Sequence, residues 1–430
     1  MLERIGNSLK LVGLISRPPR GRGGFPFHLI VAVLSVTVLL ILQGTPGARH
    51  VSRAPVARVH EQPAAATPSP VAALPPDPAT PGPNLLPGSN PAALPGPVLI
   101  ADHLNNRLLI VAPDGTVRWQ FPEPGDLAPG ETFLAPDDAF FTPDGQHIVA
   151  TQEDRSVISL IDVATRKIVW RYGTPGQPGN GSNQLSNPDD AIMMPNGDVI
   201  LADIKNCRLL VLRPPQAAPL EEIGQAGLGC LHGPPSLWAS PNGAFPMADG
   251  HYLVTEINGD WVDEVDLQGH VTWSAHPPGE SYPSDSNEVS PGVYLSVSYS
   301  SPGVIEEFNQ AGQTLWAYQP QPGAAPLDHP SLALPLPNGM ILANDDYNHR
   351  VIVIDPRTDQ VVWQYGHTRA AGSDPGYLND PDGVDLMPPY SLTSTHAATM
   401  GVPAGGGGLP GGVEGPGAVP IPPPTHQAGH

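Results

Sequence analysis

The chain has 430 residues, of which 57 are Pro, 47 are Gly and only 14% are charged, which is typical of a turn-rich fold with segments that stay unfolded. The formal net charge is −21. Residues 1–97 hold eight of the 20 basic and three of the 41 acidic residues, and the segment after residue 388 holds one acid, which leaves 12 basic and 37 acidic residues in between. This charge repels a phosphate backbone and disfavours nucleic acid as a partner, whereas divalent cations and cationic ligands suit it. The other interpretation is that the negative charge only keeps the protein soluble.

The first element in chain order is a hydrophobic helix over residues 25–43. No Lys, Arg, Asp or Glu occurs from 23 to 48, and the centre of this stretch is LIVAVLSVTVLLIL. As a helix the segment spans about 28 Å at ~1.5 Å per residue, which is enough to cross a bilayer core. The basic segment 1–24 favours a cytoplasmic N-terminus, hence a single-pass protein of the cell membrane with the rest of the chain extracytoplasmic. A cleaved signal peptide is the alternative, but no clear A-x-A cleavage site follows the helix, which favours an uncleaved signal anchor.

Two low-complexity segments flank the middle of the chain. Residues 44–97 are dominated by Pro and Ala, as in PVARVHEQPAAATPSPVAALPPDPATPGP, and predict an extended linker without a core. Residues 389–430 include GVPAGGGGLPGGVEGPGAVPIPPP and are predicted to be disordered. Neither segment carries a chemical motif, so function is expected to reside in residues 98–388.

The middle of the chain repeats with a period near 49 residues. Tryptophans mark the repeat at Trp119, Trp170, Trp273, Trp316 and Trp363, with spacings of 51, 103, 43 and 47. Their flanking segments resemble one another, as in DGTVRWQF, TRKIVWRYG and TDQVVWQYG. A period of this length is typical of propellers and solenoids. Tryptophans in the fourth strand of each unit are expected to pack between neighbouring units.

Each unit contains four short strands bounded by Gly, Pro, Asn and Asp. Six second strands can be counted: VLIADH, QHIVATQED, DVILAD, GHYLVTEI, VYLSVS and MILANDD. The first strands are PDDAFF, PDDAIMM, PPSLWAS, SNEVSPG, PSLALP and PDGVDLM. The chain enters at a second strand, Val98, and leaves on a first strand, 381–387, so the last strand can complete the first unit. The sequence therefore predicts an all-β, six-bladed β-propeller over residues 98–388 that is closed by a C-terminal strand.

Several segments resemble NHL repeats. LSNPDDAIMMPNGDVILADIKNCRLLVL (185–212) has the proline, turn glycine, strand-ending Asp and Asn–Arg of that pattern, and LIADHLNNRLLIV and MILANDDYNHRVIVID repeat its second half. LIDVATRKIVW and VIDPRTDQVVW also resemble the tryptophan-docking repeats of quinoprotein (PQQ-type) propellers. The resemblance covers most of 98–387 and is weakest over 236–328. It implies a six-bladed propeller, and some six-bladed NHL enzymes, the peptidyl-α-hydroxyglycine lyases, hold a metal with channel histidines. Repeats of this kind specify blades, not a reaction.

The openings of the first strands are expected to line one mouth of the central channel. They carry acids and two imidazoles, namely Asp137, Asp138, Asp189, Asp190, His232, Asp285, His329 and Asp380 to Asp382. We predict a binding site at Asp138, Asp190, His232, His329 and Asp382. Because carboxylates and imidazoles are metal ligands, Asp138, Asp190, His232 and His329 are candidate ligands of Ca²⁺ or Zn²⁺. The alternative is structural, since an Asp after Pro at a strand start commonly caps its own turn.

Two further patterns lie on the same face. Asp–Asn–Arg sets recur as Asp102/Asn106/Arg107, Asp203/Asn206/Arg208 and Asp346/Asn348/Arg350. Their recurrence favours a role in holding loops over a role in anion binding. The two cysteines, Cys207 and Cys230, fall in loops of one blade on that face. A disulfide between them is predicted, with two independent thiols as the alternative.

No Ser-His-Asp set, phosphate loop or HExxH motif occurs in the chain. Quinone is disfavoured as a cofactor because six blades do not suit the eight-bladed quinoprotein dehydrogenases. The function that the sequence favours is a membrane-anchored extracytoplasmic propeller that binds a surface protein or a small ligand, or acts as a scaffold. The alternative is a metal-dependent lyase or hydrolase with its site at the channel mouth.

Overall fold

The computed structural model describes residues 82–224, 230–235, 239–247 and 249–393. In this part of the chain, 24 strands form six four-stranded antiparallel sheets. The first three blades contain β1 Val98–Asp102, β2 Arg107–Val111, β3 Val117–Phe121, β4 Ala139–Phe141, β5 His147–Gln152, β6 Val157–Asp162, β7 Lys167–Gly173, β8 Pro188–Met193, β9 Val199–Asp203, β10 Arg208–Leu212 and β11 Glu221–Gly224. The other three contain β12 Pro241–Pro246, β13 Tyr252–Glu256, β14 Trp261–Val265, β15 Val271–Ala275, β16 Pro283–Ser290, β17 Val293–Ser298, β18 Val304–Asn309, β19 Thr314–Ala317, β20 Ala333–Pro335, β21 Ile341–Asp345, β22 Arg350–Asp355 and β23 Gln360–Gly366. The last strand, β24 Pro381–Leu386, belongs to the first blade.

The first blade is built from both ends of the propeller. Its strand order is β24-β1-β2-β3, and Val98 pairs with Leu386 in antiparallel register. The other five blades each use four consecutive strands. The predicted six-bladed propeller and its closure by a C-terminal strand are therefore confirmed. Closure of this kind leaves no free sheet edge at the ends of the repeat.

The strands near the centre of each blade are buried on both faces. Every residue of β1, β9, β13 and β21 is buried. The outermost strands are more exposed, as in Lys167–Gly173. A blade lies between two other blades, so its inner strands need apolar side chains on both sides and lose the simple alternation of a one-sided sheet. This accounts for continuous apolar runs such as VLIA and VILA.

The repeated tryptophans join one blade to the next. The indole Nε1–H of Trp119 donates to the Val163 carbonyl oxygen at 3.0 Å, and that of Trp273 donates to the Gln310 carbonyl oxygen at 3.0 Å. The indole of Trp363 in the sixth blade donates to Pro113 in the first at 2.7 Å. Each donor reaches from a fourth strand to the following blade, so these tryptophans pack between blades.

The recurring Asp–Asn–Arg set connects the second and third strands. The carboxylates of Asp102, Asp203 and Asp345 accept from the Nε–H of Arg107, Arg208 and Arg350 at 2.7, 2.8 and 2.7 Å. Asn206 and Asn348 also donate to these carboxylates. The carboxylates of these sets are buried, and each is paired with its arginine, so the sets hold loops by contacts within the repeat.

Two residues were wrongly assigned to the predicted Asp–Asn–Arg sets. Asn105, not Asn106, donates to Asp102 at 2.8 Å. Asn106 has a φ of 55°, and the corresponding residues Cys207 and His349 share this left-handed conformation, which ends the short 3-10 turn. In the sixth blade Asp345, not Asp346, binds Arg350, because Asp345 ends the strand opposite it.

Described residues on both sides of the predicted range 98–388 contact the propeller. The amide N–H of Gly82 donates to the Asp114 carbonyl oxygen at 2.8 Å, and Leu85 is buried and bridges to Tyr365. Part of the predicted linker, 82–97, therefore packs on the propeller. At the other end, Thr393 donates to the Phe141 carbonyl oxygen at 3.0 Å. Apolar side chains near each end find buried positions between blades, which the high Pro content concealed.

No helix among the described residues is long and apolar enough to cross a membrane. The predicted membrane helix, residues 25–43, lies outside the described residues, as do the basic segment 1–24 and residues 394–430 of the predicted tail.

Candidate acidic site at the channel mouth

The first strands of the blades contact one another around the central channel. Four of them begin opposite the last residue of their own second strand, as Pro188 does opposite Asp203 and Pro381 opposite Asp102, and the next residue of each lies at the channel mouth. In the other two blades, β4 and β20 begin later, and Asp137 and Ser331 lie at the mouth just before them. We call these six residues the mouth ring: Asp137, Asp189, Asn242, Ser284, Ser331 and Asp382. The repeat thus places three acids and three neutral polar side chains around one opening.

A second ring follows one residue further along each first strand. We call it the channel ring, and it consists of Asp138, Asp190, Gly243, Asp285, Leu332 and Gly383. The carboxylate oxygens of its three acids lie within 4.8 Å of one another, and all three residues are buried. The Oδ1 atoms of Asp138, Asp190 and Asp285 are buried and have no hydrogen-bond partner in the described part of the chain. Such atoms cost free energy unless another group satisfies them.

Glycine at two positions of the channel ring makes room for these carboxylates. A Cβ on Gly243 would overlap Oδ1 of Asp285, and a Cβ on Gly383 would lie 2.7 Å from Oδ1 of Asp138. Gly243 has no positive φ, so its backbone does not require glycine. The missing side chain instead leaves space for the Asp285 carboxylate.

The mouth ring opens into a cavity of about 270 Å³. Glu153, Ile204, Ile257 and Tyr299 also line it, and each directly follows a second strand. The same position in the first blade is His103, whose Nδ1 lies 3.4 Å from Asp137 Oδ1 and 3.5 Å from Asp382 Oδ2. His103 was not among the predicted site residues. Its position directly after the strand-ending Asp102 could have indicated it, because the residue at this position lines the mouth in four other blades.

Ionisation of the three channel-ring acids is costly because their side chains are buried. Burial raises the pKa of Asp190 and of Asp285 well above the ordinary value, and nearby carboxylates raise it further. Burial raises the pKa of Asp138 to about 7. Lys205 is the one Lys or Arg among the residues that line the cavity. The site therefore needs either bound protons or an added cation to balance its charge.

The structure does not bring the two predicted histidines to these acids. His232 Nδ1 lies 3.0 Å from Glu256 Oε2, in a separate cluster that includes Asp263. His329 Nδ1 lies 2.8 Å from Asp328 Oδ1, and the ring contacts Tyr299 and Tyr347. The structure thus does not bring the four predicted ligands Asp138, Asp190, His232 and His329 together, while Asp138, Asp190 and Asp382 of the predicted binding site do lie at the mouth.

The misplacement of His232 has a definite cause. The sequence prediction placed the first strand of the fourth blade at 234–240, whereas it is β12, Pro241–Pro246. The opening of that blade is therefore Asn242, whose side chain donates to Ser284 Oγ at 3.2 Å. A Pro followed by a short polar residue and then Gly or Asp also occurs at Pro188, Pro283 and Pro381, and this signal would have located the strand.

Cys207 and Cys230 form a disulfide with their Cα atoms 5.4 Å apart. The bond links the loop after β9 to the segment that precedes the fourth blade. It therefore fixes the chain two residues before His232.

Comparison with known proteins bears only on the fold. No protein-family model and no curated protein sequence matches the chain. Among solved structures, the chain is similar to a protein of unknown function from Bacteroides caccae, with 16% identity, a TM-score of 0.49, and coverage of 67% of this chain and 98% of that one. It is also similar to the dihydro-heme d1 dehydrogenase NirN, with 13% identity, a TM-score of 0.43, and coverage of 72% of this chain and 77% of that one. A streptogramin B lyase is similar with 15% identity, a TM-score of 0.40, and coverage of 57% of this chain and 74% of that one. These identities are too low to transfer an activity, and the similarity concerns the propeller alone.

Proposed function

We propose that the propeller is a binding module that depends on a divalent cation, with Ca²⁺ held by the channel ring. The observation that carries this proposal is the set of three buried carboxylates, Asp138, Asp190 and Asp285, each with an oxygen that has no hydrogen-bond partner among the described residues. An all-oxygen, carboxylate-rich set suits a hard cation, and Ca²⁺ accepts several carboxylate, carbonyl and water oxygens at about 2.3–2.6 Å.

The cavity above the channel ring supports a ligand site next to the cation. Asp137, Asp189, Asp382 and Glu153 line it with carboxyl groups whose pKa burial raises, so that a bound cation would favour their ionisation, and Tyr282 and Tyr299 supply aromatic surface. This favours a ligand with a cationic group or one that supplies oxygen atoms to the bound ion. With residues 25–43 as a membrane anchor and the Pro-rich segment as a spacer, the module would act on the extracytoplasmic side of the cell membrane.

Gly243→Ala tests the cation site with a single methyl group. The added Cβ would overlap Oδ1 of Asp285 and displace a ligand oxygen, while the backbone tolerates alanine. We expect calorimetric titration with Ca²⁺ to show affinity at least about tenfold lower than in the wild type, or about 1.4 kcal/mol. Gly96→Ala is the matched control, because its Cβ would meet only the Tyr390 ring at 3.3 Å. Unchanged Ca²⁺ affinity in Gly243→Ala would count against the site.

The second candidate function is a metal-dependent lyase or hydrolase. It is supported by His103, whose buried Nδ1 makes no hydrogen bond with any described residue and lies next to Asp137 and Asp382 at the mouth. An imidazole in this position could transfer a proton to or from a ligand bound beside the ion. Turnover of a chromogenic ester that is lost with chelator and in His103→Gln would support this candidate. No turnover above the protein-free rate would remove hydrolysis of such esters as its activity.

A further inference from the structure

The fourth blade departs from the Asp–Asn–Arg pattern of the first, third and sixth. Its second strand ends in Glu256, and the residue opposite is Trp261 rather than an arginine. Glu256 is fully buried, and its Oε1 accepts from the amide N–H of Ala239 at 2.6 Å. The corresponding carboxylates, such as Asp203, also accept a backbone N–H but have an arginine as counter-charge. Glu256 therefore retains the structural hydrogen bond and has lost the cation that normally accompanies it.

A second buried acid lies beside Glu256. Asp263 is fully buried, at a strand position that Leu109, Leu210 and Ile352 occupy in the blades with arginine. Its Oδ1 accepts from the Ser274 hydroxyl at 2.5 Å, and its Oδ2 has no hydrogen-bond partner in the described part of the chain. Two adjacent buried carboxylates without a guanidinium are costly unless one of them holds a proton or a cation lies between them.

The third member of this cluster is His232. Its Nδ1 lies 3.0 Å from Glu256 Oε2 and 3.6 Å from Asp263 Oδ2, and all three atoms fall within 4.8 Å of one another. Two ligands of a tetrahedral Zn²⁺, each at about 2.1 Å, are about 3.4 Å apart, which lies between the two distances from Nδ1. The donors are thus spaced as ligands of one small ion would be.

The surroundings of His232 fix its orientation. Its ring stacks on Trp261 with centroids 4.1 Å apart and planes at 5°. Its Nε2 lies 3.4 Å from the Ser274 hydroxyl, whose proton is donated to Asp263. An Nε2–H directed at Ser274 leaves the Nδ1 lone pair free to bind a metal, as in metal-binding histidines whose second nitrogen donates to a neighbour. The side chain of His232 is 15% exposed, so solvent or a ligand can reach this edge of the cluster.

We propose that His232, Glu256 and Asp263 form a second metal centre, separate from the channel ring, that binds Zn²⁺ or a similar borderline ion. One nitrogen and two carboxylate ligands leave a fourth position for water or an exogenous ligand. The Cys207–Cys230 disulfide, two residues before His232, holds the segment that supplies the imidazole. An intact disulfide is therefore required for full Zn²⁺ affinity.

The test uses the full chain with excess Ca²⁺ present, so that the channel ring does not compete for the probe. Titration with Zn²⁺ is expected to give one tight site, and Co²⁺ is expected to give the visible bands of a four-coordinate ion. His232→Gln and Asp263→Asn should each weaken Zn²⁺ binding by more than the roughly 10–100-fold caused by loss of an outer hydrogen-bonding partner. Asp263→Asn removes a buried charge and should fold at least as well as the wild type, which thermal unfolding checks.

The controls separate this centre from the channel ring. His270→Gln alters an exposed imidazole paired with Asp266 at 3.1 Å and should leave Zn²⁺ affinity unchanged. A channel-ring variant in which Asp138, Asp190 and Asp285 are all Asn should lose Ca²⁺ but keep Zn²⁺. Cys207→Ser/Cys230→Ser should bind Zn²⁺ more weakly. If the wild type binds no stoichiometric Zn²⁺, or if His232→Gln binds it as tightly as the wild type, the second metal centre is refuted.

Discussion

In the absence of divalent cations, the protein is expected to lose stability as the pH rises from about 5 to about 8. Up to about pH 7 folded Asp138, with a pKa of about 7, still holds a proton that the unfolded chain, with a pKa of 3.8, has released. Because the native state binds more protons, the free energy of unfolding falls as pH increases. Over the whole interval between these two pKa values, Asp138 alone accounts for about 4 kcal/mol at 1.36 kcal/mol per pH unit, of which about 2 kcal/mol falls between pH 5.5 and pH 7. The raised pKa values of Asp190 and Asp285 extend the loss to higher pH.

Calcium should remove this dependence. Ca²⁺ binds the ionised carboxylates of the native state, and at about 1,000 times its dissociation constant it contributes about 4 kcal/mol. Thermal unfolding of the full chain at pH 5.5 and pH 8.5, with chelator and with Ca²⁺, measures the effect. With chelator, the Tm should be lower by roughly 10 °C at the higher pH, and Ca²⁺ should restore most of it. A chelated protein that is equally stable at both values would contradict the charge assignment of the channel ring.

The second large effect is expected from neutralising the channel ring. The triple variant Asp138→Asn/Asp190→Asn/Asp285→Asn keeps the shape of the side chains but abolishes their ionisation. At pH 8.5 with chelator we expect it to unfold at a temperature higher than the wild type by roughly 10 °C, because no buried carboxylate must ionise. With Ca²⁺ present this advantage should shrink, since Ca²⁺ stabilises only the wild type. Residues that lower stability in the unligated state are typical of a binding site.

A matched replacement tests whether the effect belongs to the channel ring. Asp355 lies on the outer part of the sixth blade, and its hydrogen bonds with Arg357 hold the pKa of its carboxyl below the ordinary value. Asp355→Asn removes a favourable contact and should therefore not stabilise the chelated protein. If it raises the Tm as much as the triple variant does, general relief of negative charge, rather than the buried ring, explains the gain.

Much of the fold could be predicted from the sequence because the repeat is visible in it. The tryptophan spacing gave the period, and the position of Val98 as a second strand indicated closure by the last strand. The strand predictions failed where the sequence of one blade differs from that of the others. In the fourth blade the strand-starting Pro241 is followed by Asn-Gly instead of an acid, so its first strand was misplaced and His232 was assigned to the wrong site.

The candidate site could be predicted in part. The paired acids at Asp138 and Asp190 were found because they follow Pro at a strand start, and Asp285 was found at the opening of the fifth blade. His103 and Glu153 were missed because their approach to the mouth depends on a short turn after the second strand, which no local motif marks. Pairing of Glu256 with Asp263 depends on strand register, which pattern alone does not fix.

The number of Ca²⁺ ions bound per chain tests the central claim most directly. Full-length wild type and the Asp138→Asn/Asp190→Asn/Asp285→Asn variant are dialysed to equilibrium against the same Ca²⁺ solution, and protein-bound Ca²⁺ is determined by elemental analysis. The wild type is expected to hold one more Ca²⁺ per chain than the variant. Equal Ca²⁺ content in the two proteins would contradict a cation site in the channel ring.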